Sequence, residues 1–120
     1  MGIQYLPKYR PGDTVTFVAG AAVTAGQPVE LGATDRAVVP AAAASVKVVG
    51  IPGHDAAVGE HVTVELGKPV HILAASGAIA RGTKVEAAGS GKVRTATTGT
   101  ALGLAITTAA DGALVEIIWF

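Results

Sequence analysis

A chain of 120 residues suits one domain that buries roughly two-thirds of its unfolded surface, and nine Lys and Arg against nine Asp and Glu leave no basic excess for a nucleic-acid backbone. The absence of cysteine excludes disulfides and thiolate metal sites, and Pro, Gly, Lys, Asp or Thr interrupts every apolar run before membrane-spanning length. Half the residues are hydrophobic but only 4% are aromatic and 15% charged, so the core must be built of Ala and Val, and a mean hydropathy of +0.50 points to apolar surface covered by partners rather than water.

In chain order, residues 1–11 stand apart. They hold both tyrosines, two prolines, Lys8 and Arg10, and no acid, and read as an arm on a single β domain, 12–120. No apolar stretch near Met1 resembles a signal peptide, so synthesis is expected in a cytoplasm with a soluble product. Five segments then share one grammar, a turn glycine, two variable residues and a valine opening an alternating run. They begin at Gly12, Gly26, Gly59, Gly82 and Gly112. The residues four after each glycine, Thr16, Glu30, Thr63, Glu86 and Glu116, fall on the phase opposite the valines and are expected to face outward. Further strands are expected over Val46–Ile51, Val70–Ala74, Lys92–Thr95 and Leu102–Thr107, with hairpin reversals near 87–93 and 31–38. Pro40–Ser45 is alanine-rich but too short for a helix and reads as a turn or loop.

The chain also repeats itself. Gly50-Ile51 and Gly59-Glu60-His61-Val62-Thr63-Val64 return 53 positions later as Gly103-Leu104 and Gly112-Ala113-Leu114-Val115-Glu116-Ile117, whereas Gly26 returns 56 positions later as Gly82. Duplicated stretches, about 23–66 and 79–119, differing by a loop insertion, specify an all-β fold: a small antiparallel β-barrel or sandwich built from two similar halves, with a short N-terminal arm.

Chemistry is hard to find in this pattern. Ser45, Ser76 and Ser90 sit beside Ala or Gly without the strained elbow of a nucleophile, and no phosphate-binding glycine loop occurs. His54, His61 and His71, with Asp55 or Glu60, match no zinc spacing. Glu30, Glu65, Glu86 and Glu116 lie on outward phases with nothing to pair them as acid and base. No catalytic residue, metal or cofactor is therefore assigned. Trp119 is in phase with Val115 and Ile117 and belongs with the core, and Phe120 reads as an apolar terminus docked on a neighbour. Tyr5, Leu6, Lys8, Tyr9, Arg10, Trp119 and Phe120 are the candidate contact residues.

The order of Arg10-Pro11-Gly12-Asp13-Thr14-Val15-Thr16-Phe17, Val23-Thr24-Ala25-Gly26-Gln27-Pro28-Val29, Val48-Val49-Gly50-Ile51, Val64-Glu65-Leu66-Gly67-Lys68-Pro69-Val70-His71-Ile72-Leu73, Ala78-Ile79-Ala80-Arg81-Gly82-Thr83-Lys84-Val85 and Ala101-Leu102-Gly103-Leu104-Ala105 resembles the capsid cement, or head decoration, proteins of tailed bacteriophages. The resemblance implies a β-rich, non-enzymatic virion protein, made in the host cytoplasm, that binds the major capsid protein on the outer surface of the head, commonly as a homotrimer, without nucleic acid or membrane. It transfers no site residue. The competing class is a biotinyl or lipoyl carrier domain, also a duplicated β unit, whose flavour Ser76–Val85 has. Such domains need a lysine at a hairpin tip, and Lys68 before proline or Lys92 after Gly-Ser-Gly does not fit.

Overall fold

The computed structural model describes residues 14–66 and 70–120, which form ten strands and no helix. The Gly-x-x-Val grammar has its cause in the turns. Gly26, Gly59, Gly82 and Gly112 have φ of 78°, 86°, 86° and 80°, a left-handed conformation that strains any L side chain, and the strand starts two or three residues on. Gly12 lies outside the described residues.

Strands β1 (Thr14–Ala19), β2 (Val29–Leu31), β3 (Ala37–Pro40), β4 (Val48–Pro52) and β5 (His61–Glu65) close a barrel in the order β1-β3-β2-β4-β5. Strands β6 (Val70–Ala75), β7 (Lys84–Gly89), β8 (Lys92–Thr95), β9 (Gly103–Ala105) and β10 (Leu114–Trp119) close a second in the equivalent order. The expected duplication is thus real, and each half closes on itself, which leaves neither sheet an open edge. Pairing is antiparallel except for β1 with β3 and β6 with β8, which run parallel over two residues each. The repeated unit takes in β1 and β6, upstream of the stretches 23–66 and 79–119. Register fixes the equivalences. Val29 answers to Val85, 56 positions on; Val38 to Val93, 55 on; and Gly50 to Gly103, 53 on. The length difference between the halves is therefore split, one residue in the hairpin after β2 and two in the connection after β3.

Each core repeats the other position by position: Ala19 and Ala75, Val23 and Ile79, Val29 and Val85, Val38 and Val93, Ala56 and Ala109, Val62 and Val115, Val64 and Ile117 are all buried. Side chains this small suit the narrow interior of a five-strand barrel. The recurrence of Gly50 and Gly103 is steric. A Cβ on Gly50 would overlap the Glu65 carbonyl, and one on Gly103 the Ile118 carbonyl, so only glycine allows these backbones to approach.

The halves are joined by more than the chain. Ala41, Ile51 and Val48 of the first half pack into the core of the second. The expected loop at 40–45 is a turn at Ala43-Ala44, whose Ala44 N–H donates to the Ala87 carbonyl across the seam at 2.8 Å. Gly99 faces it so closely that a Cβ there would stand 2.7 Å from Ala44 Cα.

Candidate interaction surface

Two of the outward-phase acids are not at the surface. Glu86 is fully buried and Glu30 is 9% exposed, which corrects the expectation that both face outward. Each does point away from its barrel's interior, but the connection leaving the neighbouring strand folds over it. Glu86 accepts from the Thr97 and Gly99 N–H groups at 2.7 and 2.8 Å and from Arg94 Nε at 2.8 Å, with Arg94 Nη2 also 2.8 Å away. The Thr97 N–H is the chief cause of a pKa lowered to about 2, against the upward push of burial and with help from Gly99 and Arg94. At the equivalent place Glu30 accepts from Ala42 N–H at 2.9 Å. Burial pushes its carboxyl up, but Ala42, Ser45 and Lys47 together outweigh that and hold it below the usual range. These carboxylates are internal staples, not a catalytic pair.

The other polar candidates are also occupied with backbone. His54 Nε2 accepts from Thr63 N–H at 3.2 Å, so Nδ1 carries the proton and donates to the Asp55 carbonyl at 3.0 Å. Asp55 caps Ala25 N–H. In the second half Thr107 and Thr108 stand at these positions and make the same bonds to Glu116 N–H and Arg81 N–H, so the role is structural in both. Glu60 and Asp111 accept from Ala57 and Gly77 N–H groups. Ser45 is buried and its Oγ accepts from Lys47 N–H, Ser76 is exposed, and Ser90 sits in the hairpin at φ 55°. Among the described residues no three His, Asp or Glu gather where they could hold a metal ion. His71 stands edge-on to Trp119, ring centroids 5.5 Å apart. Its Nε2 is buried without a partner among the described residues, and burial lowers its pKa, opposed by the charge of Glu65. Lys92 pairs with Gly89 and Ala74 as the first residue of β8 rather than standing in a turn.

Of the candidate contact residues, Tyr5, Leu6, Lys8, Tyr9 and Arg10 lie outside the described residues. Trp119 is 5% exposed, within the second core, and Phe120 is 52% exposed. The sequence reading passed over a neighbouring feature. On the outside of the second barrel, Val70, Ile72, Leu114 and Ile118 are 39 to 67% exposed. They fall on one face because register sets Ile118 beside Val70, Glu116 beside Ile72 and Leu114 beside Ala74. Half-buried Leu104, beside Ile118, extends the face onto β9. Here is the apolar surface that the hydropathy demanded. The signal was available in the repeat: the positions that match Val70, Ile72, Leu114, Glu116 and Ile118 are Thr14, Thr16, His61, Thr63 and Glu65, all polar, whereas the matches of Leu104 and Ala74 are the apolar Ile51 and Val18.

The molecule thus presents two closed barrels with small-residue cores, two glutamates buried against loop backbone, and an apolar face on the outside of the second barrel. Residues 9–118 match the family model for phage cement proteins, and the chain belongs to that family: it is a structural, capsid-associated phage protein of the virion. Among solved structures, the N base of head fiber gp8.5 of bacteriophage phi29 shares the fold, with a TM-score of 0.70 and 19% identity over 89% of this chain and 92% of that one. No curated protein matches in sequence.

Proposed function

We propose that this protein binds the outer surface of an assembled phage head, as a homotrimer, and cements neighbouring subunits of the major capsid protein without catalysing a reaction. The observation that carries the reading is membership of the cement family across residues 9–118. The physical features agree. Balanced charge suits a protein-coated surface better than nucleic acid or membrane. Symmetric copies multiply weak contacts through effective concentration. Tyr5, Leu6, Lys8, Tyr9 and Arg10 supply an arm that reaches along the capsid or an adjacent protomer, with exposed Phe120 contributing at the other terminus and Trp119 held in the core.

Co-sedimentation with purified heads that lack the protein tests the reading. Saturable, stoichiometric binding and heads that withstand higher temperature are the expected results. No pelleting above the level of an unrelated protein sinks it. Deleting residues 1–10 should weaken binding, and unchanged binding would remove the arm from the contact. Light scattering should give three times the chain mass.

A further inference from the structure

The two halves provide an internal control for their own surfaces. Matching strand pairs, β1 with β5 and β6 with β10, have the same register and bury Ala19, Val62 and Val64 in one half and Ala75, Val115 and Ile117 in the other, so their outward positions can be compared one to one. Yet Thr14, Thr16, His61 and Glu65 on one pair correspond to Val70, Ile72, Leu114 and Ile118 on the other. Four polar positions have become β-branched or leucine, all well exposed. Phe120, two residues beyond Ile118, is also exposed, and apolar patches of roughly 300–600 Å² on a monomer are commonly functional, the scale of the centre of an interface of about 800 Å² per partner. Glu116 stands in the middle of this face, beside Ile72. Its N–H is held by Thr107, but its carboxylate has no partner among the described residues.

We infer that the outer face of β6 and β10 is the surface on which this protein meets the capsid subunit, and that Glu116 there meets a lysine or arginine of that subunit. The inference rests on the capsid-binding reading above. What argues for a foreign partner rather than a second copy is the charge. Packing the face on itself about a two-fold axis would bring two Glu116 carboxylates into one desolvated centre, which like charges disfavour. Packing it on another part of a copy needs a second apolar patch of matching size, and the remaining large exposed hydrophobics of the described residues are three, Leu31 and Val46, which are neighbours where the Leu31 N–H meets the Lys47 carbonyl, and Val58. An apolar partner surface carrying one cation satisfies both the stripe and the acid.

The test removes the apolar character of the β6–β10 face and, separately, reverses the charge at its centre. Ile72→Thr with Leu114→Thr, and separately Glu116→Lys, are made in the full chain and assayed by co-sedimentation with heads, alongside a control, Thr16→Ala with His61→Ala. All sites are exposed, and near-ultraviolet circular dichroism with thermal melting checks the fold. The expected result is binding at least about tenfold weaker for both β6–β10 variants and unaltered for the control, with the solution mass of every variant the same as that of the parent. Parent binding with equal binding by the variants overturns the inference and leaves the cement reading standing. A variant whose mass falls while the parent is oligomeric shows the face to lie between copies and also overturns it. Equal weakening by the control assigns the wrong half. Failure of the parent itself to bind removes the cement reading, and the inference with it.

Discussion

At Glu86 a carboxylate without solvent exposure stays ionised because two backbone N–H groups and Arg94 converge on it. Its folded pKa, about 2, lies below the ordinary 4.5, so the unfolded chain takes up the proton first as pH falls. The stabilisation is complete above about pH 4.5 and is lost on the way down to about 2. Urea unfolding at pH 6 and pH 3 should show this loss in the parent and a smaller one in Glu86→Gln. Glu86→Ala should cost about 3 kcal/mol at neutral pH, because it strands Arg94 and the two N–H donors. Glu30, with fewer donors, should matter less. His71 runs the other way in charge but the same way in pH. Its lowered pKa makes protonation destabilising, so stability should also fall as pH drops below about 6.5, and His71→Leu should remove that component of the pH profile. Strand phase correctly told which side of β7 Glu86 occupies. It could not tell that the connection at 96–99 would cover that side, because burial by a loop has no period.

Among elements, the seam between barrels does what neither barrel does alone. Ile51, on the outside of the first barrel, is 3% exposed because it enters the second core. Ile51→Ala should therefore cost about 2–4 kcal/mol and speed hydrogen exchange in β7 to β10 as well as in β4, whereas an effect confined to β4 would contradict the packing. Gly103→Ala should cost at least about 2 kcal/mol through its clash with the Ile118 carbonyl, measured by thermal melting. Most strands were legible in the sequence because turn glycines at positive φ and alternating valines are local signals. Strand order was not, since the parallel contacts of β1 with β3 and β6 with β8 join strands through barrel closure rather than through a turn. The apolar face was half-legible. Val70, Ile72, Leu114 and Ile118 look like ordinary strand residues one at a time, and become informative only against Thr14, Thr16, His61 and Glu65 in the other half.

On the scale of the whole molecule, the duplication gives one architecture two exteriors. The barrels share core, turns and buried glutamates, while one presents polar residues and the other an apolar stripe around Glu116. The family was legible from the order of weak Gly and Val motifs along nearly the full length, because turn spacing is what a small barrel constrains most tightly. The apolar face took a comparison of the two halves to see, since family motifs of this kind record folding requirements rather than partners. Cryo-electron microscopy of heads incubated with the protein tests the account most directly. It predicts ordered density on the outside of the shell with the β6–β10 face of the second barrel against the capsid subunit, and bare shells, or density joined to the shell through the polar face of the first barrel, would contradict it.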